Sequence, residues 1–248
     1  MNLLKIFNQI KTGIELEFKG MRMFKFQIFV SMILIPFSYL IIVLLNKNSN
    51  IDYLISGFMV SMMIGTYFGI LSLRVSNLMQ TEVIELYTIF SVSKTVIVIS
   101  MGITYFLLTL PIFGISYIFM ISNNTEKFLS TLVPLLIGNI FLILISITIG
   151  LKVRNYYTLM GIMPLVSYIL IIISPIYYQI KTQNIIVKSL LFLNPITHIL
   201  NILRVGLNES YIIFSSKYSY GIIIIISLWL IFYINKKLKD IYILEKIF

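Results

Sequence analysis

Side chains able to do chemistry are scarce in this chain. Its 248 residues include no cysteine and a single histidine, His198. Disulfides, thiolate metal sites and histidine clusters are therefore ruled out, and no metal site is expected. His198 has no paired acid or second histidine near it in sequence, so it reads as a polar interfacial side chain rather than a catalytic base. The chain holds no Gly-x-x-x-x-Gly-Lys-Ser/Thr stretch to cradle phosphates, no Gly-x-Ser-x-Gly turn to raise a nucleophile and no His-Glu-x-x-His zinc helix. No catalytic residue is assigned, and the chain is not expected to be an enzyme or to bind a cofactor itself.

The elements that carry these side chains are overwhelmingly apolar. Hydrophobic residues make up 59% of the chain, charged residues 11%, and the mean hydropathy is +0.99. A soluble domain of this length could not place so much apolar surface in one core. The expected fold class is an all-α integral membrane protein of one domain, residues 1–248. Six uncharged runs are long enough to cross a hydrocarbon layer about 30 Å thick as helices. They cover residues 27–45, 54–73, 95–121, 128–151, 155–180 and 218–235. The first 26 residues carry five Lys or Arg and no apolar core ahead of a small-residue cleavage site, so the first run is expected to insert as a permanent helix.

A net charge of +10 would raise nucleic acid as a partner for a soluble protein. Here the positive residues flank apolar runs. Thirteen Lys or Arg fall in the N-terminal segment, the 74–94 and 152–154 connections and the C-terminal tail, against six in the other three connections. By the positive-inside rule both termini face the cytoplasm of a multi-pass plasma-membrane protein, with lipid and not nucleic acid around it.

Residues 1–26 repeat Leu3, Phe7, Ile10, Ile14, Phe18 and Met21 at helical spacing, with Lys5, Lys11, Glu15, Lys19 and Arg22 on other faces. Such a helix lies in the headgroup region, with Lys11–Glu15 and Glu15–Lys19 pairs on the wet side. It serves either as an anchor or as a lever that also touches a cytoplasmic partner. In the second run Gly57, Ser61, Gly65 and Gly69 form a stripe that lets another helix approach, within the chain or across a subunit interface. Pro36, Pro111, Pro134, Pro164 and Pro175 lie in or at the ends of the runs. None of the six runs contains Asp, Glu, Lys, Arg or His, which weighs against an ion-coupled carrier. Asn139 is the most polar side chain within them and reads as an interhelical hydrogen-bonding group.

Two polar interruptions stand out. In residues 74–94, Asn77 and Gln80 form a variant capping box ahead of a short helix, with Val83, Leu86, Tyr87 and Phe90 as an apolar side and Glu82 and Glu85 as a charged one. A docking helix and a solvated interfacial helix share that pattern. Residues 181–217 are too long for a bare loop and too polar to cross. Within them Asn194 and Pro195 read as an N-cap and first helical residue, and Gly206 as a stop. Ile196, Ile199, Leu200 and Leu203 gather on one side of this helix, and Thr197, His198, Asn201 and Arg204 on a polar arc, as in a helix resting on or dipping into the outer leaflet.

This order of parts resembles the ABC-2-type permease family, the transmembrane subunits of type-2 ABC exporters, over essentially the whole chain. The family's coupling motif, E-x-x-G-T-x-E-x-L-x-x-x-P-x-S followed by a basic residue, is matched at Glu85, Ser93 and Lys94, with Glu82 and Val83 where Gly-Thr is usual and Ser91 where Pro is usual. LNPITHILNILRVGL is similar to the family's outer motif at Asn194, Pro195, Thr197, Arg204 and, at the aromatic position, His198. The resemblance implies two permease subunits, identical or related, and two ABC ATPase subunits that bind ATP and Mg. It makes Glu82, Glu85, Leu86, Tyr87, Phe90 and Lys94 the contact to the ATPase, and export of a hydrophobic or amphipathic compound (an antibiotic, drug or small antimicrobial peptide) the function. Export of a lipid-linked polysaccharide comes second, since FKGMRMFKFQIF carries basic residues without tryptophan. A non-transporting membrane immunity or binding protein is the alternative from another class.

Overall fold

The structure, a computed structural model, describes residues 3–22, 25–29, 51–80, 83, 92–121, 126–153, 155–176, 178, 184–208 and 212–245. Its elements are all helical among the described residues. They are α1 (Leu3–Met21), α2 (Lys25–Phe29), α3 (Ile51–Thr66), a π-helical turn (Tyr67–Leu71), α4 (Ser72–Leu78), α5 (Lys94–Ile121), α6 (Glu126–Lys152), α7 (Tyr156–Ile173), α8 (Ile185–Leu193), α9 (Pro195–Gly206) and α10 (Ser216–Glu245). Five of the described helical segments are long and apolar enough to cross a membrane, and the pair α8–α9, bent by 90°, adds a sixth if counted as one span. The protein is therefore built as a helical membrane protein. The first expected run, 27–45, falls almost entirely outside the described residues.

The segment α3–π–α4 is the axis of the bundle. Val60, Met63, Ile64, Tyr67, Leu71 and Val75 are fully enclosed by α5, α6, α7 and α9. By contrast α7 fully buries only Leu159 and Met163 and turns most of its other apolar side chains outward, and α10 too leaves a broad apolar face exposed. In water such faces would be a liability, but lipid tails solvate them.

Several boundaries differ from those expected. The second run continues as helix to Leu78, so Asn77 sits inside the last turn of α4 and does not cap a new helix. The packing explains this: Ser76 Oγ donates to the Val153 carbonyl at 2.6 Å, and Val75 closes on Gly150, so the close contact with α6 runs past Leu73. The fifth run stops at Ile173, where Ser174 and the ring of Pro175 end the helix. The last helix runs to Glu245, well beyond Asn235. Its 30 residues span about 45 Å, so about 15 Å projects past a hydrocarbon core with Lys236, Lys237 and Lys239 on it.

The caps follow from short polar side chains. Asn155 accepts from the N–H groups of Tyr157 and Thr158, Asn184 from Ile186 and Asn194 from Ile196, each opening its helix. Gly206 ends α9 for a reason other than backbone freedom: a Cβ there would lie 2.7 Å from the Ser130 carbonyl, and the positive φ of 56° falls two residues on, at Asn208. Of the small-residue stripe, Gly57 is in a close approach to the Ile176 carbonyl, which a Cβ there would meet. Ser61 is buried, while Gly65 and Gly69 are half-buried.

The crossing of α4 and α6 is the tightest test of this packing. A Cβ on Gly150 would meet the Ser72 carbonyl at 2.6 Å and Val75 Cβ at 2.7 Å, whereas one on Gly161 meets nothing within 4 Å. Gly150→Ala is expected to destabilise the bundle by about 1–3 kcal/mol. Gly161→Ala should leave the melting temperature in detergent unchanged or slightly raised.

Candidate functional site

Asn194 and Arg204 of the second polar interruption both reach the buried stretch that follows α7. Asn194 stands at the bend between α8 and α9. Its Oδ1 caps α9 through the Ile196 N–H at 3.0 Å, and its Nδ2 donates to Ser174 Oγ at 2.8 Å, at the end of α7. Pro195 takes the first helical position, where no N–H is needed. One asparagine thus starts a helix and holds that start to another helix.

Two and a half turns along α9, Arg204 is 1% exposed. Its Nη2 donates to the carbonyls of Pro175 at 2.8 Å and Ile176 at 3.0 Å, and its Nε to Ser56 Oγ at 3.3 Å. The guanidinium carbon lies 3.6 Å from the centre of the Tyr53 ring. The Tyr53 hydroxyl in turn donates to the Tyr178 carbonyl at 2.5 Å and lies 3.0 Å from that of Pro175. Proline's break in α7 is what frees those carbonyls, and arginine's planar fork is what gathers them. Three parts of the chain, α3, α9 and the stretch after α7, therefore meet on one cation.

The polar arc of α9 is not wetted, contrary to expectation. Thr197, His198, Asn201 and Arg204 are as buried as Ile196, Ile199, Leu200 and Leu203 on the other side. The reason is that α9 is enclosed by α3, α6 and α10, so its polar side faces protein. His198 Nε2 donates to the Phe192 carbonyl at 2.8 Å, which leaves Nδ1 to accept from Ser219 Oγ at 3.3 Å. Ser219 Oγ also accepts from Asn201 Nδ2 at 3.0 Å. Asn201 then closes on the 212–214 backbone: its Oδ1 takes the N–H groups of Ile213 and Phe214, and its Nδ2 reaches the Phe214 carbonyl at 2.6 Å. Phe192 and Phe214 meet the imidazole ring, with centroids 5.4 and 5.7 Å away. His198 is thereby a bracket between α8, α9 and α10, with both ring nitrogens engaged.

Ionisable groups are consequently present inside the bundle, although the six expected runs carry none. Asp52 is in the first turn of α3, and His198 and Arg204 lie within the bent pair. Farther along the axis, Tyr67 donates to Asn139 Oδ1 at 2.5 Å, and Asn139 Nδ2 to the Leu135 carbonyl at 2.8 Å. Asn139 thus makes the interhelical hydrogen bond expected of it. Tyr67 opens the π turn, in which the Ser72 N–H bonds the Tyr67 carbonyl. The Ser72 hydroxyl donates at 2.6 Å to the Phe68 carbonyl, the acceptor its own N–H would take in an α-helix.

The other polar interruption is described only in part. Glu82, Glu85, Leu86, Tyr87 and Phe90 lie outside the described residues, and Lys94 is the first residue of α5. Beside it the structure holds a pair that sequence reasoning missed. Glu17 on α1, fully buried, takes Arg74 on α4 at 3.2 Å, with Nε and Nη2 both directed at the carboxylate. The α1 face that packs inward is Ile10, Gly13, Glu17 and Met21, while Phe7 and Phe18 of the expected apolar stripe point outward. Lys11, Glu15 and Lys19 are exposed. The spacing of Gly13, Glu17 and Gly20, small residues on either side of one acid, was the available signal.

No protein-family model matches the chain, and no curated protein matches it significantly.

Two outcomes test this geometry. Arg204→Met removes the donors of two buried carbonyls, a loss of about 1–3 kcal/mol for each. The variant should melt well below the parent in detergent, and Arg204→Lys should recover only part of the difference. For the second pair, a double-mutant cycle of Glu17→Gln with Arg74→Met should give a coupling of about 0.5–3 kcal/mol. A coupling near zero would place it with solvent-screened surface pairs.

Proposed function

We propose that this chain is the permease subunit of an ATP-driven exporter of the ABC-2 type, moving a hydrophobic or amphipathic compound out across the plasma membrane. The observation that carries the reading is the behaviour of the Asn194 to Arg204 stretch. Of the residues that match the family's outer motif, Asn194 and Arg204 both tie α9 to the stretch after α7, Asn194 through the Ser174 hydroxyl and Arg204 through the Pro175 and Ile176 carbonyls. A motif retained for chance composition has no reason to converge in this way. The apolar, outward-facing spans suit a cargo that enters from lipid.

In this reading the chain performs no hydrolysis. ATP and Mg sit on a separate ATPase subunit, whose closure pushes on residues 74–94 and, through α1, on the bundle. The Glu17–Arg74 pair gives that push a rigid path, because a buried carboxylate held by a guanidinium resists separation of α1 from α4. A second permease, a copy of this chain or a related one, completes the path. Binding energy at the ATPase then biases a two-state membrane element at a distance.

Affinity purification of the tagged chain in mild detergent tests the partner directly. A P-loop ATPase should accompany it, and a photocrosslinker at position 87 should join the two. Replacing Glu85 and Tyr87 together by Ala should leave the protein in the membrane and ATP hydrolysis running while export falls. If no ATPase is recovered with folded protein, a stand-alone binding or immunity role replaces the exporter.

A further inference from the structure

The π turn at Tyr67–Leu71 holds a surplus residue, and a helix that takes one in must leave a carbonyl without its usual donor. Here that carbonyl belongs to Phe68. The Ser72 N–H goes to Tyr67, five residues back, and the Ser72 hydroxyl replaces it at Phe68, donating at 2.6 Å. One serine therefore makes this position of the surplus residue tolerable.

Six residues earlier stands a second hydroxyl. Thr66 is fully buried, and its Oγ1 has no hydrogen-bond partner. Ser100, Thr104 and Thr148 each donate to the carbonyl four residues back, at 2.7–2.8 Å, whereas Thr66 does not use the equivalent carbonyl of Met62. A buried hydroxyl left idle costs about 1–3 kcal/mol. With the surplus residue lodged ahead of Thr66 instead, the Thr66 N–H would reach Ser61, five residues back, and the Met62 carbonyl would lose its donor. The Thr66 hydroxyl would then serve Met62 as Ser72 now serves Phe68.

The intervening stretch suits such a passage. Thr66 and Tyr67 would turn by on the order of 100° and slide by about 1.5 Å, with smaller turns grading away towards Ser61 and Ser72. Met62 and Met63, both fully buried, are unbranched and repack readily, and Gly65 has no side chain to carry past a neighbour. Neither charged joint is disturbed, because Tyr53 and Ser56 precede the stretch and Arg74 follows it. What is given up is the Tyr67–Asn139 hydrogen bond.

We infer that the surplus residue of this helix has two resting places, one capped by Ser72 and the other by Thr66, and that its passage between them is a switch in the middle of the bundle. The switch belongs to this helix alone, and stands whether or not the protein is an exporter.

Methionine methyl NMR of the full chain in detergent reads the two places, because Met63 lies one turn before the Tyr67 ring while Met59 lies outside the stretch. Ser72→Ala removes the cap of the present place only, and should raise the ratio of a second Met63 resonance to the first by about fivefold. Tyr67→Phe keeps the ring, loses a hydrogen bond made only in the present place, and should act in the same direction. Adding Thr66→Val to Ser72→Ala withdraws the other cap and should lower the ratio by a similar factor, with Met59 single throughout. A single Met63 resonance in both Ser72→Ala and Tyr67→Phe, with no saturation transfer to another, would overturn the inference. So would a Met59 resonance that splits together with Met63, which would mean general loosening of the helix and not the passage of one residue.

Discussion

A guanidinium enclosed in a helical bundle must exchange its water for protein oxygen and aromatic electrons, or it cannot stay there charged. Arg204 meets that demand with groups that are far apart in sequence: two main-chain carbonyls after α7, a serine hydroxyl and a tyrosine ring on α3. The carbonyls are available because Ser174 and Pro175 interrupt α7 at that depth. The tyrosine is in place because the close approach at Gly57 lets α3 touch the same break. Remove the cation and the break is left with open acceptors, while the ring of Tyr53 loses the charge it faces.

The same requirement explains which parts of the fold were legible in the sequence. Helical class, the approximate bounds of α5 and α6 and the cap at Asn194 follow from local chemistry, namely apolar length and short polar side chains before a proline. The burial of the polar arc of α9 does not. An amphipathic pattern distinguishes two faces but cannot say whether the polar one meets water or other polar groups of the protein, and here Ser219, Phe192 and the 212–214 backbone take the place of water. Glu17 was opaque for a related reason. An acid among lysines on an interfacial helix looks solvated until its partner, Arg74, is brought beside it from 57 residues away.

These two buried charges lie on different levels of one axis. Arg204 contacts the beginning of α3, and Glu17 contacts Arg74 in α4, so the most enclosed segment of the protein is held by an ion-dependent joint in its first helix and another in its last. Between the joints comes the Tyr67–Asn139 hydrogen bond, and the tight crossing at Gly150, against Ser72 and Val75, lies beside the second joint. Displacing either end while the middle stays packed would strain the intervening helix more than its neighbours. Dense interiors respond to such strain by switching between discrete arrangements rather than by bending smoothly.

The π turn at Tyr67–Leu71 also bears on chain length. A π turn accommodates about one residue more than an α turn, so the residues after it are set back by on the order of 100° from where an unbroken α-helix would put them. Arg74 faces Glu17, and Ser76 faces Val153, only because that surplus residue is absorbed. Loss of one residue inside the turn, such as the half-buried Gly69, would turn it into plain α-helix with both ends still in phase. Loss of one residue earlier in α3 would instead rotate the Tyr53 end against the rest. The helix is thus tolerant of a one-residue gap in one short window and intolerant of it before that window, a pattern of permitted lengths that no list of side-chain contacts would reveal.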